Sequence, residues 1–330
     1  MFRRGMMGNV LDEAATRESQ PKSFMTSFQR RWEARSSIRS RPEKYIDMEQ
    51  SGYFFPVDKQ PVLLDSQVSN LGEPVKQEIL LQSFYKYLND IVTLEIKHIN
   101  AACHNIIEGD LPITYPKQAK LNAYTILIDE YYHVYIAENM MMELDYHFPN
   151  RKQLDYPVSD SYYAVEQTKQ KLDDKYHIIF EIIAVCIFET TLIRELVTFF
   201  NSPEVHPSIK YYVNDHMNDE GRHYGYFYEL LEWTWSGLPE DYKQAIGSVL
   251  PYFIKLYLNV SSEKQFNINL LRSILPEQSN PESIVDNIYH GFDITPDVPI
   301  VKNVLQVLQK TGVKDYSSVT NAFKQIGWDI

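Results

Sequence analysis

Two cysteines in 330 residues exclude a disulfide-built scaffold. Cys103 and Cys186 lie in apolar stretches and read as core residues of a protein in the reducing cytoplasm. Glycine is scarce at 12, which argues against a loop-rich β architecture. Basic residues are in deficit, 32 against 44 acids, for a formal net charge of −12. A nucleic-acid binder needs a basic face, so nucleic acid is not an expected partner. The arginines of residues 1–8 are followed by no apolar run, so no secretory leader is expected. A clean membrane span is missing too. Residues 178–200 imitate one, but Glu181, Glu189, Arg194 and Glu195 interrupt them, and charges at the centre of a span are costly. A buried helix of a soluble bundle is the better reading, with no membrane partner.

What is present suits a helical bundle. Hydrophobic residues reach 44%, enough for a sizeable core, and the 24 tyrosines suit wide helix interfaces. Residues 1–74 read as a polar lead-in, with a short helix near 24–35, and a Pro- and Gly-marked loop over 51–74 that wraps the body. Residues 75–330 read as one domain. Four long helical patterns are expected over about 75–107, 116–148, 161–200 (with a break near Asp173) and from after Pro207 to near Gly237 and Pro239. Shorter amphipathic helices follow, for example 242–258 and 301–311. In the first long pattern Leu88, Ile91, Val92, Ile99 and Ala102 recur at helical spacing.

Each long helix carries a candidate metal-ligand set. The first has Glu95, set in its apolar row. The second has Glu130-x-x-His133. The third has Glu189, set in the row Ile182, Val185, Leu192, Leu196. The fourth has Glu220-x-x-His223. Residues three apart on a helix point within about 60° of each other, so each Glu/His pair can face inward together. A buried carboxylate without a partner costs several kcal/mol, so Glu95 and Glu189 each demand one. The order repeats: Glu95 precedes Glu130 by 35 residues, and Glu189 precedes Glu220 by 31. One Glu from each of two helices plus Glu-x-x-His from each of two others is the di-iron or di-manganese pattern of a ferritin-like four-helix bundle. Carboxylate and imidazole donors suit iron or manganese. The expected fold is therefore all-α, a ferritin-like four-helix bundle with additional helices.

His216 lies one turn before Glu220, so it can reach the same space, though spacing alone leaves it open as an ordinary surface histidine. Asp129 and Asp219 lie four residues before His133 and His223 and are candidates to hold a far imidazole N–H, with Arg222 as anchor for such a carboxylate. Tyr131, Tyr132 and Phe188 adjoin these residues and are candidates to line a substrate pocket. His98, His104, His147, His177 and His206 read as lone surface or capped core histidines. Met140 to Met142 read as core filler.

The set Glu95, Glu130-x-x-His133, Glu189 and His216-x-x-x-Glu220-x-x-His223 resembles the p-aminobenzoate N-oxygenase (AurF-type) di-iron family over about residues 90–225. Its mark is the third histidine, at 216; other ferritin-like oxidases look like four carboxylates with two histidines. The resemblance implies a metal set of Glu95, Glu130, His133, Glu189, His216, Glu220 and His223 holding two Fe ions that cycle between Fe2+ and Fe3+. It implies an O2-dependent oxidoreductase that N-oxygenates a small-molecule amine to a hydroxylamine, nitroso or nitro product in biosynthesis. The amine is free or tethered to a carrier protein. No flavin or nicotinamide fingerprint is present, so an external electron donor, a separate reductase, is expected. A homodimer is the expected assembly. Two alternatives share the metals: a C–H hydroxylase, desaturase or C–C cleaving oxidase, and a non-catalytic iron-binding protein.

Overall fold

A computed structural model describes residues 24–42, 45–191 and 200–329. The expectations for residues 1–23, and for the third helix over 192–199 with Leu192, Arg194, Glu195 and Leu196, lie outside the described residues. Among the described residues the architecture is all-α. The sole extended pairing there is an isolated bridge between Tyr53 and Val205.

The N-terminal arm forms α1 (Phe24–Arg35) and a single turn, α2 (Ser37–Ser40). The wrapping segment is more structured than its prolines suggest. It contains two 3-10 turns and the short α3 (Ser66–Ser69), and Val62 and Val68 are buried with Phe266 and Leu270. It is tied to the bundle where Tyr53 N–H donates to Glu204 O at 2.9 Å and His206 N–H donates to Tyr53 O at 2.8 Å. Gly52 is required there, because a Cβ would stand 2.5 Å from the His206 Cα.

The bundle proper starts at α4 (Glu73–Leu94), whose first turn carries Pro74 and an acid, both favourable at a helix N-terminus. The first long helix is not continuous. A π turn (Glu95–Ile99) interrupts it, closed by the Asn100 N–H donating to Glu95 O, before α5 (Asn100–Glu108) resumes. α6 (Lys117–His147) follows Pro116. The third pattern breaks as expected: α7 (Asp160–Lys169) and α8 (His177–Thr191) flank a turn at Asp173. α9 (Pro207–Gly237) is capped by the His206 ring, which accepts from Ser208 N–H. Then come α10 (Glu240–Tyr257), α11 (Ser261–Ile274), α12 (Pro281–Ile288), α13 (Pro299–Lys310) and α14 (Ser317–Gln325).

α4–α5, α6, α8 and α9 pack as the four-helix bundle, with α10 and α13 against α7 and α8, and α1 across α6 and α9. Besides the cluster of the wrapping segment, two apolar clusters fill the bundle. One cluster holds Ile99, Ile126, Phe188 and Tyr226, and the other Leu88, Ile136, Met140 and Met217. In three helices the residues between these clusters are polar and buried: Glu95, then Glu130 and His133, then Glu220 and His223. Glu189 adjoins the first cluster in the fourth. A polar layer thus sits at the seam of an otherwise apolar bundle. Among the described residues no helix is long and apolar enough to cross a membrane.

Candidate metal centre

The seven side chains converge on this seam as two quartets. Ligand atoms of Glu95, His133, His216 and Glu220 lie within 4.8 Å of one another, and so do those of Glu130, Glu189, Glu220 and His223. Glu220 belongs to both. His216 Nε2 stands 3.2 Å from Glu95 Oε1 and 3.2 Å from Glu220 Oε1. His223 Nδ1 stands 2.9 Å from Glu130 Oε1 and 3.3 Å from Glu220 Oε1. His133 Nδ1 stands 3.4 Å from Glu130 Oε2. Glu130 therefore also reaches both halves. The π turn matters here: its extra residue lets Glu95, His98 and Ile99 all turn inward.

Proximity does not amount to hydrogen bonding. Glu95 Oε2, Glu130 Oε1, Glu189 Oε2, Glu220 Oε1, His216 Nδ1 and His223 Nδ1 are all buried with no hydrogen-bond partner. Native interiors rarely leave such atoms unsatisfied, and six in one cluster call for a cation. Four carboxylates also match the charge of two divalent ions. The donor set thus fits a pair of iron or manganese ions.

The electrostatics of the bare cluster agree. Burial, reinforced by the Glu130 charge, pushes the Glu95 carboxyl up to about 7. Burial, with Glu220 and Glu130 adding to it, holds Glu189 well above the carboxylate range. Burial opposes charging His216, as does His133, but the adjacent Glu220 and Glu95 carboxylates outweigh both and raise it to about 9. His133 and His223 are likewise raised against the cost of burial, the former by Asp219 and Glu130, the latter by Glu220 and Glu130. These five groups bind protons more tightly in the metal-free fold than free side chains do, while the charged histidines hold Glu130 and Glu220 below the ordinary carboxylate range against burial. The His216 contribution to stability is complete below its ordinary 6.5 and is lost as pH rises through about 9. That of Glu95 is complete below 4.5 and lost through about 7. Metal ions must displace these protons. Loading the metal-free protein at pH 7 is therefore expected to release more than about one proton per chain, with affinity rising with pH. Calorimetry in two buffers of different ionisation enthalpy measures the release, and a value of zero would contradict this picture.

Around the centre the partners cross. Asp129, on α6, faces His223 of α9, with its Oδ2 3.3 Å from the Nε2. Asp219, on α9, faces His133 of α6, with its Oδ2 3.1 Å from the Nε2. Arg222 donates to both aspartates, at 3.0 Å to Asp129 and in a closer contact to Asp219. Each aspartate fixes which imidazole nitrogen faces the seam. His133, Arg222 and the Ser37 hydroxyl hold the Asp219 carboxyl well below its ordinary range, against the opposing effect of burial.

Several residues here escaped sequence reasoning. Trp32 Nε1–H donates to Asp129 Oδ1 at 2.9 Å. Ser37 donates to Asp219 through its backbone N–H at 3.1 Å and through its hydroxyl. The N-terminal arm thus clamps both aspartates. A tryptophan inside an arginine-rich segment was the available signal. Trp32→Phe is expected to cost about 2 kcal/mol, the worth of a buried bond to a charged group, and to weaken metal binding by at least about tenfold. Denaturant unfolding and metal titration measure the two effects. Tyr87 and Tyr212 are also missed; Tyr212 is buried and Tyr87 half-buried, and both hydroxyls are buried without a hydrogen-bond partner.

The remaining candidates scatter. Tyr132 lines a narrow cleft with Ser37, Arg41, Ile136, Tyr212 and Asp215 that reaches His133 and His216. Tyr131 is half-exposed, and Phe188 is buried against Phe253 and Tyr257. His98 is buried between Tyr162 and Phe188, where burial lowers it to about 4, and His206 is the buried cap of α9. His104 and His147 are exposed, and His177 faces the Lys169 and Leu172 carbonyls.

No curated protein matches the chain. A family model does, over residues 20–283, under the description P-aminobenzoate N-oxygenase AurF. That span holds the arm, the four bundle helices and all seven converging side chains. The chain belongs to the p-aminobenzoate N-oxygenase AurF family of ferritin-like di-iron N-oxygenases.

Proposed function

We propose that this chain uses O2 to oxidise the nitrogen of a small amine at a di-iron centre held by Glu95, Glu130, His133, Glu189, His216, Glu220 and His223. The observation that carries the reading is the pair of buried quartets sharing Glu220, with a third histidine in the first. In this assignment Glu95, His133 and His216 would hold one iron and Glu189 and His223 the other, with Glu130 and Glu220 within reach of both groups of side chains. Asp129, Asp219 and Arg222 hold the histidines in place. Two irons there supply the redox chemistry that lets O2 react with the amine.

The first oxidation balances as R–NH2 + O2 + 2e⁻ + 2H⁺ → R–NHOH + H2O. One oxygen atom ends on nitrogen and the other in water. The electrons come from an external donor. The amine approaches along the cleft beside His133 and His216, where the unpartnered Tyr212 hydroxyl can orient its polar end. Apolar packing on both sides of the seam keeps water out.

The test is reaction of the iron-loaded, reduced protein with 18O2 and a panel of arylamines and amino acids. Mass spectrometry should find a product carrying one 18O on nitrogen. Oxidation of a fatty acid with every amine untouched would replace this reading with C–H oxidation. The third histidine has its own test. His216→Ala is expected to lower affinity at one iron site by at least about tenfold and leave the other near its original value, read by iron titration. Unchanged affinity at both sites would remove His216 from the set.

A further inference from the structure

We propose that the arginine-rich outer face of α1 and α2 is the docking surface for a small acidic one-electron carrier protein of the ferredoxin type. Trp32 and Asp129 then carry its electrons inward to His223. The inference rests on the reading above that the centre needs electrons from outside.

Charge is segregated in this chain. Residues 24–42 carry five arginines, at 30, 31, 35, 39 and 41, against one acid, Glu33, in a protein of formal net charge −12. Glu33 pairs with Arg39 at 2.9 Å, Asp215 of α9 pairs with Arg41 at 2.7 Å, and the Glu229 charge acts on Arg31, so the five arginines of this segment stand against three acids. Arg31, Arg35, Arg41 and Arg222 line one surface cavity together. Within it the Nε of Arg222 is buried and has no hydrogen-bond partner, although the residue is only 6% exposed. A cationic face on an acidic protein steers an acidic partner and orients it on arrival.

The second observation is independent of charge. This same arm touches the histidine-holding carboxylates directly. The Arg39 guanidinium lies 5.4 Å from the Trp32 ring centroid. Trp32 Nε1 is 2.9 Å from Asp129, and Asp129 is 3.3 Å from His223 Nε2. A parallel branch runs from Ser37 through Asp219 to His133. This arginine-rich face therefore stands one tryptophan and one carboxylate from an imidazole of the centre. Each nitrogen oxidation consumes two electrons, so two carrier molecules dock in turn, each oxidised by one electron.

The experiment compares two reductants on the iron-loaded full-length protein, an acidic [2Fe–2S] ferredoxin and dithionite. Stopped-flow absorbance follows reduction of the oxidised centre. Ferredoxin-driven reduction of the native protein is expected to slow by about tenfold between 50 and 500 mM salt, as screening removes the steering. The double variant Arg35→Glu, Arg39→Glu should lose about tenfold in the ferredoxin rate at low salt and keep the dithionite rate. Arg35→Gln with Arg39→Gln should fall between. Lys302→Glu, on α13, where Lys302 pairs with Asp297, should match the native protein. Ferredoxin rates indifferent to salt or to the Glu variant would overturn the proposal. So would an equal loss with both reductants, since the arginines would then act on the centre itself. Salt-dependent ferredoxin reduction in a protein that oxidises no amine would sink the amine reading and leave the docking surface standing.

Discussion

Glu220→Ala is expected to empty both metal sites at once. Glu220 is the one residue common to the two quartets, and its Oε1 lies 3.2 Å from His216 Nε2 and 3.3 Å from His223 Nδ1. Losing an outer partner of a metal ligand costs 10–100-fold in affinity; losing a carboxylate that serves two ions should exceed the upper figure, about a hundredfold. Iron per chain should fall from about two to well below one, and O2-dependent turnover should vanish with it. Stability separates this from simple misfolding. Glu220 pushes up the Glu189 carboxyl after burial itself, but it also pairs with the charged His216 and His223, which hold its own carboxyl well below the ordinary range against burial, so its removal costs stability in the metal-free fold. The metal-free variant should still unfold in one cooperative transition, at a lower Tm than the metal-free native protein. The rise in Tm on adding metal, which follows from binding to the folded state alone, should be lost. Differential scanning calorimetry with and without metal gives both numbers. Glu95→Ala, which touches one quartet, should lose one ion and keep part of the Tm rise.

Arg222→Met should produce the largest loss of stability of any single change around the centre. Arg222 is the cation between Asp129 and Asp219, and both aspartates are fully buried. Methionine fills much of the space but leaves two carboxylates facing each other without their shared partner. Breaking a buried ion pair from one side costs about 3–5 kcal/mol. In a chain of this length that is a fall in Tm on the order of 5–10 °C. The arm should loosen too, because Arg222 also donates to the Arg35 carbonyl at 3.4 Å. Hydrogen exchange should show α1 and α2 opening first. Asp129→Asn in the Arg222→Met background should recover part of the loss, since it removes one of the stranded charges. A Tm within a degree of the native protein would mean that the aspartates find other partners.

Much of this was legible before any coordinates. The helices announced themselves by apolar periodicity and by prolines at 116 and 207, because a helix buries one stripe and tolerates proline in its first turn. Glu95 and Glu189 stood out because each replaces an apolar residue in such a stripe. The doubled Glu-x-x-His added the second pair of helices. What was hidden depends on contacts between distant segments. Trp32 and Asp129 are 97 residues apart, and Ser37 and Asp219 are 182 apart. No local pattern links them. The crossing of the aspartates is left open for the same reason: spacing allows Asp129 an imidazole on its own or a facing helix, and only the packing selects His223 on the helix opposite. The π turn was invisible because an inserted residue shifts the register without changing which residue types are apolar. Tyr87 and Tyr212 lay among 24 tyrosines, with nothing local to mark two that face the seam.

The most direct test of the account is a crystal structure of the iron-loaded protein with anomalous diffraction at the iron edge. Two peaks per chain are predicted, one among Glu95, His133, His216 and Glu220, the other among Glu130, Glu189, Glu220 and His223. A single peak, or iron held anywhere outside this seam, would contradict it.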